Sequence, residues 1–307
     1  NISSVPSAEF NYEWDRYTTH KINSYISRVQ DVAFSPDSIK CFKNRFRNPL
    51  YVRYSRYMRF FKLAIAPMVR KSSTYNPLAF ADLTTNPWDS LSSLRYIQDT
   101  QDKAVEFYLN NITPSSSLAN QSKAPIFILI GHVQPEASTS PMGGGFYCQL
   151  RVAEYLRSKY PQSRIYYKEH PGSFYTILPG GSESLVGISR NVPYYKRLLS
   201  LGVNFLPVEG NVISLLKQCP HLIPVTITGS VAVEAPISIA APCIYFGEPY
   251  WLGYPGSFYF KDVDWPNITE QFNHTRSNSE SLLQNSTKWL ANRASFSCLP
   301  NIMGYGI

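Results

Sequence analysis

The sequence predicts an α/β fold: a parallel sheet in the C-terminal half, preceded by a mainly helical N-terminal module. Three observations carry this reading. From about Pro125 onward, short apolar runs alternate with amphipathic stretches over short connections, the pattern of parallel strands joined by helical crossovers. Residues 1–120 lack that rhythm. Several of the apolar runs end in polar, acidic or imidazole groups, which places them at the carboxyl edge of a sheet, where open α/β folds bind ligands.

In chain order, Asp15–Ala33, Asp37–Phe60 and Leu91–Leu109 read as helices rich in Tyr and Arg, and Phe61–Val69 as a strand-like run weakened by Pro67. Leu118–Lys123 follows a Pro/Ser stretch and resembles a linker. Pro125–Gly131 (PIFILIG) is continuously apolar, as expected of a strand buried on both faces. Gly145–Tyr160 reads as a helix with Leu150, Ala153, Tyr155 and Leu156 inward, and Arg164–Lys168 as a second strand. A helix over Asn191–Leu201 ends at Gly202, which suits a left-handed C-terminal cap. Val203–Pro207 is a third strand, and Asn211–Gln218 a helix with Asn211 as its N-cap. Leu222–Ile227, the helix Ser230–Ala240 and the strand Cys243–Phe246 complete the alternation. A polar stretch then leads to a helix at Glu280–Ala291, with Leu282, Leu283, Trp289 and Leu290 available for docking. The expected organisation is a basic N-terminal module over 1–123, a nucleotide-binding domain over 124–275, and a tail over 276–307 packing back on the module.

At 44% hydrophobic and 14% aromatic residues, the composition is that of a soluble globular protein, and disorder is not the default expectation. A formal charge of +8 favours anionic partners. Much of it lies between Lys40 and Lys62, where Lys43, Arg45, Arg47, Arg53, Arg56 and Arg59 are interleaved with Tyr and Phe. This segment reads either as facing an acidic acceptor or a membrane surface, or as a solvated helix face with Tyr and Phe packed beneath. Nucleic acid is not expected, because no motif of a nucleic-acid-binding fold accompanies it. Cys41, Cys148, Cys219, Cys243 and Cys298 are widely separated, without metal-ligand spacing. They suit buried thiols in a reducing compartment, so the expected location is the cytoplasm, with peripheral membrane contact through 40–62. The chain opens on Asn1, as expected of a fragment, a processed form or a trimmed chain.

Three strand ends hold the candidate chemistry. His132-Val133-Gln134-Pro135-Glu136 leaves the first strand, and a carboxylate there can serve as nucleophile or general base. A capped loop, with Glu136 on backbone N–H groups, explains the same residues. Lys168-Glu169-His170-Pro171 leaves the second. An imidazole in that place can donate to a phosphate or a leaving oxygen, with Lys168 and Lys196 adding charge; a structural hydrogen bonder is the plainer reading. Thr228-Gly229-Ser230 opens a helix after the fourth strand, where N–H groups and the helix dipole suit a phosphate. Simple N-capping by Ser230 accounts for it as well. Glu234, one turn on, suits a ribose hydroxyl. Gly247-Glu248-Pro249-Tyr250-Trp251 offers an aromatic wall for a base or sugar, or a buried aromatic cluster. Neither GxGxxG nor GxxxxGK[ST] occurs.

In order and spacing, His132–Thr139 (HVQPEAST), Lys168–Pro171 (KEHP), Thr226–Ala235 (TITGSVAVEA) and Ala241–Tyr250 (APCIYFGEPY) resemble the capsule-polysaccharide synthesis family, which includes bacterial β-Kdo transferases. The resemblance spans roughly residues 124–255. It implies a GT-B-type glycosyltransferase with two Rossmann-like domains and a cleft between them. It assigns donor phosphate contacts to His170, Thr228 and Ser230, and places Glu136 near the reacting carbon. Related Kdo transferases carry an aspartate at that place, which leaves donor and stereochemistry open. The N-terminal half departs from the pattern: either it has diverged into helices or the chain is one piece of a larger protein.

Together these readings give a metal-independent transferase that moves a sugar from a CMP- or NDP-activated donor to a glycan acceptor. Glu136 and His170 are its expected catalytic residues. His132, Gln134, Lys168, Thr228, Gly229, Ser230, Glu234 and Gly247 are expected to bind the donor, with no cofactor. A non-catalytic carbohydrate- or polyanion-binding module on the same core is the competing reading, and a sugar-nucleotide epimerase or hydrolase a third.

Overall fold

The computed structural model describes residues 99–100, 102–114, 118, 124–132, 141–170, 173 and 190–296, with side chains described up to 289. The expectations for Asp15–Ala33, Asp37–Phe60 and Phe61–Val69 lie outside these residues. Helix α1 covers 102–110. Strand β1 (Ile126–Ile130) is followed by a 3-10 turn (Gly144–Phe146) and α2 (Gln149–Lys159), then by β2 (Arg164–Lys168) and α3 (Val192–Ser200). Next come β3 (Val203–Phe205), α4 (Val212–Gln218), β4 (Leu222–Thr226), α5 (Val231–Ile239) and β5 (Cys243–Tyr245). Strand β6 (Ser257–Tyr259) and helices α6 (Ile268–Ser277) and α7 (Ser279–Phe296) end the described chain.

All six strands are parallel, in the order β3-β2-β1-β4-β5-β6. This is the order of the Rossmann fold, whose connectivity reverses between β1 and β4 and opens a crevice beyond their carboxyl ends. Alternation along β1 sends Phe127 and Leu129 to one face and Ile126 and Ile128 to the other. The first face is covered by α1, α2, α3 and α6, through residues such as Tyr108, Val152, Leu198 and Phe272. The second is covered by α4 and α5, through Ile213, Leu216 and Ala232, with Trp289 of α7 packed at its margin. Burial on both faces is why β1 reads IFILI without a polar residue. Pro224 sits within β4, but β5 pairs only from Val225 onward, so Pro224 has a ladder neighbour on one side.

The caps follow the sequence closely. The Asn191 side chain accepts from Tyr194 N–H, and Asn211 from Ile213 and Ser214 N–H. Gly202 has φ +72°, the left-handed conformation that ends α3. Several elements differ from expectation. The helix expected from Gly145 breaks at Cys148, whose backbone is extended, and restarts at Gln149. Strand β6 and helix α6 occupy the stretch read from the sequence only as polar. Leu118, expected to open a linker, is buried, and His221 bonds its carbonyl at 2.8 Å. Two of the α7 residues read as available for docking do dock: Leu282 is buried, and Trp289 meets Tyr254 edge-on at 5.2 Å. Leu283 is exposed, and the Leu290 side chain lies outside the described ones. Among the described residues no helix is long and apolar enough to cross a membrane.

Candidate active site at the carboxyl edge of the sheet

Four strand ends meet beyond the β1/β4 crevice, and glycines let them approach. A Cβ on Gly131 would lie 2.6 Å from Glu169 Oε1 and 2.7 Å from the His170 nitrogen. One on Gly229 would lie 2.6 Å from Thr226 Oγ1 and 3.0 Å from His132 Cε1. One on Gly247 would lie 2.4 Å from Thr228 Cγ2 and 2.7 Å from the Met142 carbonyl. Contacts this short leave no room for a side chain, so the close approach itself requires glycine. His132, Lys168, His170, Thr228, Gly229, Ser230 and Gly247 therefore share one edge. Gln134 and Glu136 lie outside the described residues.

At the end of β1, His132 is buried and its Nε2 is 2.8 Å from Thr226 Oγ1. The Ile227 N–H donates to the same nitrogen at 3.3 Å. An Nε2 that accepts a backbone N–H carries no proton, so the ring is neutral and Thr226 donates its hydroxyl. The Thr226 oxygen in turn accepts from Gly229 N–H at 3.0 Å. Burial, reinforced by the nearby His170 and Arg190, pushes the imidazole down to about 3. Through this nitrogen His132 laces β1 to β4 across the crevice.

At the end of β2, Lys168 is buried and donates to the carbonyl of Val208, with its ammonium pushed down to about 8 by burial. His170 is exposed. Between them Glu169 is fully buried. Its Oε2 accepts from Arg190 Nε at 2.6 Å, from the Tyr167 hydroxyl at 2.7 Å and from the Tyr195 hydroxyl at 2.8 Å. Its Oε1 accepts from His170 N–H at 2.9 Å. Burial alone would raise the Glu169 carboxyl, but Arg190 and the two hydroxyls outweigh it and hold it below the usual carboxylate range. Arg190 reaches onward with Nη2, 3.0 Å from the His132 carbonyl and 3.1 Å from Gln149 Oε1. The Tyr108 hydroxyl, 2.7 Å from the Leu206 carbonyl, accepts from Glu169 N–H at 3.2 Å and ties α1 to the same edge.

At the start of α5, Thr228 is buried and Ser230 exposed. The expected N-cap does not form: Ser230 has helical angles (φ −58°, ψ −20°) and makes no side-chain cap bond. Its hydroxyl bonds the Glu234 carboxylate instead, while burial raises that carboxyl. In the first turn of α5 the Ala232 N–H donates to the Gly229 carbonyl, and the Val233 and Glu234 N–H groups to that of Ser230, which leaves the Ser230 and Val231 N–H groups as the donors at the helix start. The aromatic wall expected after β5 is half core: Trp251 is buried edge-on against Tyr245 at 4.8 Å, and Tyr250 is exposed.

Sequence reasoning missed Glu169 as a working residue and Arg190 altogether. A lone acid between Lys168 and His170 was a visible signal, but its partner stands 21 residues away across a connection of no recognisable pattern. Among the described residues no cluster of three or more His, Cys, Asp or Glu side chains could hold a metal ion.

No family model matches the chain, and no curated protein matches it. Among solved structures, the β-Kdo 2,7 transferase KpsC of Thermosulfurimonas dismutans is similar with a TM-score of 0.33 and 16% identity. The likeness covers 65% of this chain and 50% of that one, so the chain spans about half the length of the solved protein.

Proposed function

We propose that the chain is a GT-B-type glycosyltransferase that moves a sugar from a nucleotide-activated donor to a glycan acceptor. One observation carries the reading. The α5 N-terminus, Thr228 and Gly229 share a Rossmann-order crevice edge with His170. That is a helix N-terminus and dipole suited to phosphate, with an exposed imidazole at the exit of β2, across β1 from it. In this reading Thr228, Gly229 and Ser230 hold the donor phosphate and His170 donates to it as the leaving oxygen gains charge. Glu234 takes the ribose, and Glu136 is the catalytic carboxylate, with no metal required. His132 and Lys168 serve differently from a direct donor ligand: they brace the strand ends through Thr226 and Val208.

That bracing also favours a second reading, a non-catalytic polyanion or carbohydrate binder on the same core. Calorimetry with CMP, UDP and free glycan separates the two. The transferase reading expects nucleotide binding that His170→Ala weakens, and transfer that Glu136→Gln abolishes at nearly unchanged nucleotide affinity. Binding of glycan alone, or full turnover in both variants, would reject it.

A further inference from the structure

We propose that Glu169 and Arg190 are the positioning residues of this edge: together they fix the His132 carbonyl and the His170 amide, so that the exits of β1 and β2 keep one geometry. The proposal rests on the carboxyl-edge reading of the site, but its test does not require turnover.

Arg190 directs its planar fork two ways. One arm closes on Glu169 and the other on the His132 carbonyl and Gln149. The Ser173 hydroxyl donates to the same His132 carbonyl at 3.3 Å, and Ser173 N–H bonds back to the His170 carbonyl at 2.9 Å. The described flanks of the β2–α3 connection, Ser173 and Arg190, therefore converge on one oxygen at the exit of β1. The opposite face of that exit is held by the imidazole on Thr226 and Ile227. His170, for its part, is anchored through its N–H on Glu169 Oε1.

Stability alone is a poor reason for this arrangement. Two charges withdrawn from water gain little over a well-packed apolar pair of the same volume. The network also leaves a cost unrelieved: Gln149 is fully buried, and its amide nitrogen has no acceptor among the described residues while its oxygen serves Arg190 and Tyr194. Buried polar groups held at such a cost are those whose geometry matters.

Two variants test the idea. Arg190→Lys keeps the charge opposite Glu169 but loses the fork that reaches His132 simultaneously. Glu169→Gln with Arg190→Gln removes both charges, so no buried charge is left unpaired. Each is followed by thermal unfolding, by histidine ¹⁵N resonances, and by calorimetry with CMP and UDP. Positioning predicts folded variants in which the His132 resonance moves and its ring begins to titrate above about pH 5, which a ring still pinned as a buried neutral acceptor does not do. It also predicts nucleotide affinity weakened about 10- to 100-fold, by analogy with the outer-shell groups that orient metal ligands. An unmoved His132 resonance in a folded variant overturns the proposal, as does collapse of both variants, which would assign the pair to fold stability. If the wild-type chain binds neither nucleotide, the donor reading fails while the histidine resonances still decide the positioning role.

Discussion

Replacing His132 with glutamine isolates one acid-sensitive term in the stability of this fold. The imidazole is buried, accepts a backbone N–H, and is held at about 3 against an ordinary value of 6.5. The folded state therefore refuses a proton that the unfolded chain accepts. The contribution is complete above pH 6.5 and is lost as pH falls toward about 3. Each pH unit inside that window removes roughly 1.4 kcal/mol. Lowering the pH from 6.5 to 5 therefore costs about 1.6 kcal/mol once the half-titrated start is allowed for. The amide introduced by His132→Gln can accept from Ile227 and Thr226 but cannot titrate. Urea unfolding of both proteins at several pH values should show the wild type losing about 1.5 kcal/mol more than His132→Gln between pH 6.5 and pH 5. Parallel pH profiles would refute the neutral, Nε2-accepting imidazole and with it the lacing of β1 to β4.

Gly229→Ala places a methyl 2.6 Å from Thr226 Oγ1 and 3.0 Å from the His132 ring. Overpacking and a displaced Thr226–His132 bond should together cost about 2–4 kcal/mol in urea unfolding; a loss below about 0.5 kcal/mol would mean that the crevice is looser than described. Glu169→Ala leaves Arg190 buried and unpaired, and should cost about 3–5 kcal/mol, against a much smaller loss in the doubly neutral variant. Lys168 is pushed from 10.5 to about 8 by burial, so the unfolded chain holds more protons between those values. Its share of the stability should rise as pH passes from 8 to 10.5, a rise that Lys168→Met abolishes in the same unfolding assay.

The strands of the central sheet were legible because burial on both faces writes itself as uninterrupted apolar sequence, as in Ile126–Ile130 and Cys243–Tyr245. Strand β6 was not: SFY is three residues long and half-buried at the sheet edge, so neither length nor alternation marks it. Helix α6 buries only Ile268 and Phe272, one pair at i, i+4 in an otherwise polar run. That Gly, Thr, Ser and His residues close the strands at the carboxyl edge was readable from the sequence. Their partners were not. Nothing local distinguishes a lysine that faces a ligand from one that donates to Val208, or a serine that caps a helix from one that bonds Glu234. Trp251 and Tyr250 are sequence neighbours of opposite burial, a difference set by packing against Tyr245 rather than by composition.

The central claim is that the β1/β4 crevice edge takes the phosphate of a nucleotide-linked sugar. A crystal structure of the chain soaked with CMP and with UDP tests it most directly. The account predicts the phosphate on the N–H groups at Ser230 and Val231, within reach of the His170 imidazole. A nucleotide bound at the amino edge of the sheet, or none bound at concentrations that saturate a donor site, would contradict it.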